Sequence, residues 1–214
     1  MKHNVIVGIA SAAFLVFSSM AMLGAAQGRA GQQGQGAEQG RAGEINAQED
    51  RDTASRIQTG FDYAKSQGLT LDLKGKNRSL VGLGSYLVNA VGGCNDCHTA
   101  PPFTKDPYAA LGAPKQINVD CYLAGGTPFG PPGPGTPVSR DITPFEDGKP
   151  AGLTLEKFIH VIRTGEDPDN PGHVLEVMPW PVYQAMTDRD LRAIYEYLTA
   201  IPAIPVNTCG VPSE

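Results

Sequence analysis

Cys94-Asn95-Asp96-Cys97-His98 is the stretch whose reading decides this chain. It is C-x-x-C-H, the spacing of a c-type haem attachment site. The x-x spacer sets two thiols side by side on one turn, where they can reach both vinyl groups of a haem and add as thioethers. The imidazole one residue on is then aimed at the iron as its proximal ligand. Two other chemistries use C-x-x-C. A thioredoxin-like redox pair needs a βαβ context, and the flanking sequence has none. A zinc site needs four ligands, yet the 4 Cys and 4 His include no second C-x-x-C and no H-x-x-x-H. The motif therefore predicts one covalent haem c on Cys94 and Cys97, with His98 as an iron ligand.

The rest of the composition suits an exported carrier. At 214 residues, 41% apolar and 18% charged, the chain allows one soluble domain with extensions, and its 26 Gly and 18 Pro predict much irregular structure. The formal net charge is −5 and there is no basic run, so a nucleic-acid partner is not expected. Residues 1–26 read as a targeting segment, with a Lys2 start, an uncharged run and a Leu23-Gly24-Ala25-Ala26 end. The uncharged run is also long enough to span a bilayer, so a retained membrane anchor is the alternative to a cleaved signal peptide. Either reading places the remainder outside the cytoplasm, periplasmic or extracellular, which agrees with where haem c is attached. Residues 27–52 are rich in Gly and Gln without apolar periodicity and read as a disordered tether.

The remaining pattern is helical. Ile57, Phe61 and Ala64 share one face in an N-terminal extension, 53–77, and Gly68 is placed to stop that helix. Leu69, Leu71 and Leu73 alternate like a short strand, and the extension is expected on the outside of the domain. Ser79 can cap a second helix, whose Leu80, Leu83, Leu87 and Val91 make a stripe ending at Gly92-Gly93. The haem signature is thus expected at that helix's C-terminal end. From Thr99 to Gly152 the chain holds eleven of the 18 prolines. Long helices are excluded there, and a loop of that length suits a segment wrapping a haem. Thr154 caps a third helix with Leu155, Phe158, Ile159 and Ile162 inward and Gly165 as stop. Thr187 and Asp190 form a capping box for a last helix carrying Leu191, Ile194, Tyr195 and Leu198. The haem domain is predicted over 78–204, with a tail over 205–214.

A six-coordinate iron needs a second ligand, and outside the targeting segment the candidates are Met178, Met186, His160 and His173. His160 reads as a solvated helix position and His173 as an exposed turn residue. Met186 directly precedes a helix cap. Met178, held extended by Pro179 and Pro181 and lying in no helical stripe, is the better candidate. Cys121 and Cys209 remain, and in an oxidising compartment two spare cysteines are most simply a disulfide.

Several stretches together resemble a class I c-type cytochrome domain, most like the haem domains of alcohol and aldehyde dehydrogenase cytochrome c subunits. They are Gly84 to Leu87, Cys94 to Thr99, Ser139-Arg140-Asp141-Ile142-Thr143-Pro144, Phe158 with Arg163 and Gly165, Met178-Pro179, and Thr187 to Leu198. The resemblance implies an all-α fold with Met178 as distal ligand. It also implies a first and last helix crossing at Gly84 and an aromatic, here Tyr195, and a carbonyl of Pro101 or Pro102 accepting from the His98 imidazole. Those subunits carry three haem motifs, and this chain carries one.

The expected function is one-electron transfer rather than enzymatic catalysis, with dehydrogenase, oxidase or other cytochrome partners. A His/Met-ligated iron leaves no open position for substrate. The competing reading is a haem sensor or gas binder in which Met178 is labile. A peroxidase would want a second haem motif or a distal acid/base pair, and neither is visible.

Overall fold

A computed structural model describes residues 16–105, 108–131, 133–205 and 208–209. The chain divides into two units, Met1–Arg51 and Asp52–Glu214. Helix α1 spans Val16–Ser66. The stretch read as an unstructured tether, 27–52, is therefore helical. Its side chains are exposed from Glu38 to Arg51, so no burial holds that part of it. Ala, Gln, Glu and Arg favour a helix, but six glycines in this stretch oppose it at about 1 kcal/mol each, so propensity alone does not account for it. Of the targeting segment expected over 1–26, residues 1–15 lie outside the described ones. Among the described residues no helix is long and apolar enough to cross a membrane.

The second unit is helix-rich with little strand, as expected for an all-α cytochrome. Gly68 (φ 79°) ends α1. Residues 69–73 then run extended without joining a sheet: the Asp72 N–H donates to the Ala200 carbonyl instead (2.8 Å). Helix α2 is Arg78–Tyr86, and its cap is Asn77 rather than Ser79, with the Asn77 side chain accepting from the Leu80 N–H (3.2 Å). A π-helical turn follows at Leu87–Val91. Gly93 (φ 60°) then reverses the chain, and the signature forms a helix of its own, α3 at Cys94–His98, instead of ending the preceding one. Between α3 and α4 the chain is irregular, as its prolines require. Its described residues include β1 (Phe103–Lys105), paired antiparallel to β2 (Gln116–Ile117), and a 3-10 turn at Val119–Cys121. Helix α4 (Leu155–Thr164) starts at the Thr154 cap and stops at Gly165 (φ 71°). A short α5 (Trp180–Tyr183) was not foreseen, because Pro179 and Pro181 read as extended. Both prolines fall at its N-terminus, where a missing N–H costs nothing. Helix α6 (Asp188–Leu198) starts at the Thr187 cap, whose hydroxyl accepts from the Asp190 N–H (3.1 Å).

Helix α2 is the centre of the packing. Gly60 of α1 lies against Gly82, and Gly84 lies against Ala193 and Tyr197 of α6. A Cβ on Gly60 would overlap the Gly82 carbonyl, and one on Gly84 would overlap the Ala193 carbonyl. Glycine in mid-helix costs roughly 1 kcal/mol of propensity, offset here by backbone-to-backbone approach on two sides. The aromatic at the α2–α6 crossing is thus Tyr197, fully buried. Tyr195 instead packs against Phe158 (ring centroids 5.6 Å) and donates to the Leu153 carbonyl. Burial on two sides also breaks the expected stripe. Val81 and Val88 are buried beside Leu83 and Leu87, while Val91 is exposed. The 53–77 extension is part of the core rather than an outer layer. Ala64 and Leu69 are buried, and the Ser85 hydroxyl donates to the Gly60 carbonyl (2.7 Å). The Cys121–Cys209 bridge is present, Cα atoms 5.5 Å apart, and pins the C-terminal tail to the Pro-rich segment.

Candidate cofactor site

Three local devices position the signature. Asn89 Nδ2 donates to the Ser85 carbonyl (2.9 Å), the acceptor an α-helical Asn89 N–H would use. The ladder there widens to i+5, seen in Gly92 N–H to Leu87 O (2.7 Å). Asn95, buried inside the signature, accepts from the Thr99 hydroxyl (2.9 Å) and donates to the Pro102 carbonyl (3.0 Å). Thr99 in turn accepts from the Leu123 N–H (2.9 Å). The Tyr183 hydroxyl donates to the Gly92 carbonyl (2.8 Å), tying α5 to the approach of α3.

Behind α2 the same Asn89 closes a buried ring. The Tyr122 hydroxyl donates its proton to Asn89 Oδ1 (2.6 Å). The Tyr197 hydroxyl must then donate to that of Tyr122 (2.9 Å), and it accepts from Asn89 Nδ2 (3.3 Å). Three side chains 33 to 108 residues apart in sequence thereby satisfy one another. Sequence reading missed this ring. A polar residue at a position surrounded by buried ones, Asn89 between Val88 and the signature, is the signal that could have found it.

His98 has one defined partner. Its Nδ1 lies 2.7 Å from the Arg140 carbonyl oxygen. A carbonyl can only accept, so Nδ1 carries the proton and Nε2 keeps the lone pair. The expected proline carbonyls are otherwise engaged: Pro101 accepts from Asn118 Nδ2 (3.2 Å), and Pro102 from Asn95 and the Asn118 N–H. Burial pushes the His98 pKa down, only partly opposed by the Arg140 carbonyl and by Asp141. Burial pushes the Cys94 thiol up to about 12 and raises Cys97 as well, with Asp96 adding to both. Neutral, unbridged thiols are the opposite of a thioredoxin-type pair, whose reactivity depends on a lowered pKa.

Cys94, Cys97 and His98 open onto a cavity of about 690 Å³. Leu87, Val88, Ile142, Phe158 and Ile162 give it apolar walls. Met178 lines the same cavity, and so do Met186 and His173. His160 does not; its Nε2 lies 2.6 Å from Glu166 Oε2 on the exposed side of α4. The Trp180 indole packs across the Gly165 backbone, and the Trp180 backbone N–H donates to the Met178 carbonyl (2.8 Å), so the turn bearing Met178 is fixed to the end of α4.

These residues fit a haem. The volume falls in the ~300–1,000 Å³ range of ligand sites with apolar walls and few polar groups. The donors are two thiols on one turn, a neutral imidazole and thioethers, a soft set suited to tetrapyrrole iron rather than to a hard cation. Arg140 borders the cavity, donates to the Ala151 carbonyl (3.0 Å), pairs with Asp169, and has a buried Nε without an acceptor. An unsatisfied guanidinium N–H is suited to a carboxylate such as a tetrapyrrole carries. Among the described residues no group of three or more His, Cys, Asp or Glu is placed to hold a bare metal ion.

No protein-family model matches the chain. It is 29% identical over 133 residues to the cytochrome c subunit of a quinone-dependent alcohol dehydrogenase from Gluconobacter oxydans (strain 621H). The match covers 58% of this chain and 24% of that relative, so the chain spans about a quarter of the relative's length. This distant and partial similarity is consistent with a cytochrome c domain.

Proposed function

We propose that this protein is a monohaem, class I-type cytochrome c that carries single electrons outside the cytoplasm. The observation that carries the reading is the convergence of Cys94, Cys97, His98 and Met178 on one apolar cavity. Haem c, when bound, supplies a reversible one-electron Fe(III)/Fe(II) couple. The side chains do the rest. Cys94 and Cys97 tether the macrocycle, and the Arg140 carbonyl fixes the His98 tautomer and aims Nε2 into the cavity. Met178 would hold the iron with a soft thioether that favours the reduced state, and the apolar walls exclude water. The partner class is a dehydrogenase or another respiratory redox protein. Residues 1–26 act as the export signal or an anchor.

Met178, rather than Met186, is the assigned ligand, because Met178 sits on the turn locked by Trp180, whereas Met186 precedes the Thr187 cap of α6. Spectra of Met178→Ala and Met186→Ala test this. Met178→Ala is expected to bind carbon monoxide in the reduced form and to lose the weak far-red band of Met–Fe(III) ligation. Met186→Ala should leave the spectrum unchanged. The reverse pattern would move the ligand to Met186. Ready carbon monoxide binding by the wild type would favour the sensor reading.

A further inference from the structure

We propose that the mouth of the Cys94–His98 cavity is a docking surface for a basic protein partner; this rests on the electron-transfer reading above and specifies its partner. Three apolar side chains that line the cavity face solvent: Val138 (58% exposed), Val174 (55%) and Val177 (41%). Carboxylates line the same cavity, namely Asp167, Asp169 and Glu176. The cation of that lining is Arg140, already paired with Asp169.

The charge is not a uniform property of the chain. Residues 52–115 carry seven Lys and Arg against five Asp and Glu. Residues 116–214 carry six against thirteen, and every cavity-lining acid belongs to that second part. An apolar patch rimmed by one sign of charge is the composition of a protein interface. The rim sets which partner is steered in and which is repelled. Here the rim selects a surface rich in Lys or Arg and repels an acidic carrier. The apolar valines supply contact area once it has arrived.

Electron exchange of the purified haem-loaded protein with two small reagents, cationic hexaammineruthenium and anionic ferricyanide, tests the proposal. Raising ionic strength from about 0.01 M to about 0.15 M shortens the screening length from roughly 30 Å to roughly 8 Å. The rate with the ruthenium reagent is expected to fall and the rate with ferricyanide to rise. Octalysine should slow the ruthenium reaction at low salt, and octaglutamate should not. The double variant Asp167→Asn/Glu176→Gln should lose about threefold or more of the low-salt ruthenium rate. The control pair Asp62→Asn/Glu156→Gln changes net charge equally, away from the cavity, and should lose little. Equal losses in the two pairs would mean that overall charge acts and would overturn a docking mouth, as would a faster reaction with ferricyanide at low salt. A preparation without covalent haem would instead refute the electron-transfer reading, before any rate is measured.

Discussion

The carbonyl oxygen of Arg140 and Nδ1 of His98 lie 2.7 Å apart, and the Arg140 side chain anchors the backbone that presents that carbonyl. Its guanidinium donates to the Ala151 carbonyl and pairs with Asp169. Arg140→Ala keeps the carbonyl but releases the segment carrying it. The expected loss is about 1–2 kcal/mol, that of a charged hydrogen bond in a partly exposed setting. Urea denaturation of both proteins measures it. No change in midpoint would show that the side chain is not an anchor.

Gly84 and Gly40 are both helical, and their alanine variants should behave in opposite ways. A Cβ on Gly84 meets the Ala193 carbonyl and the Tyr197 side chain, so α2 and α6 must separate. Gly84→Ala is expected to cost about 3 kcal/mol, the upper end for overpacking. Gly40 has nothing within 4 Å of its Cβ position. Gly40→Ala should leave the unfolding midpoint of the second unit unchanged and raise far-UV helicity slightly. A destabilised Gly40→Ala would mean that the 27–52 segment packs on something.

The tyrosine cluster sets an alkaline limit. Burial, with Tyr197 and Asp96 adding, pushes the Tyr63 phenol from 10.0 to about 12, and burial raises Tyr122 and Tyr197 too. A raised folded-state pKa means that the full contribution to stability is present below pH 10. It is lost as pH rises toward 12, because the unfolded chain ionises first. Phenolate absorbance from these residues should therefore appear together with loss of far-UV helicity; ionisation within an intact fold would contradict the burial. Tyr63 has a buried hydroxyl with no partner, so Tyr63→Phe should be neutral or mildly stabilising. Tyr122→Phe removes the donor to Asn89 Oδ1 and should cost about 1–3 kcal/mol.

Much of this was legible in the sequence because it is local. The Thr154 and Thr187 caps, the Gly165 stop and the irregular 99–152 segment follow from residue chemistry within a few positions. The Cys121–Cys209 pairing followed from arithmetic, with two cysteines left over in a chain whose sequence reads as exported. What sequence reading missed is what long-range contact decides. The choice of Tyr197 over Tyr195 depends on which face of α6 meets Gly84. The Arg140 carbonyl reaches His98 across 42 residues, a separation no local pattern encodes. The extension joins the core because Gly60 and Gly82 allow α1 to touch α2, and neither glycine announces a partner on its own. Both Met178 and Met186 reach the cavity, so the choice between them rests on their surroundings.

The central claim is covalent attachment through the signature, and the intact mass of the exported protein tests it most directly. The expected result is the processed polypeptide plus one haem. Cys94→Ala/Cys97→Ala should yield bare polypeptide, and the Cys121–Cys209 bridge should remain in both. A wild-type mass equal to the bare polypeptide, or to polypeptide plus zinc, would contradict the account.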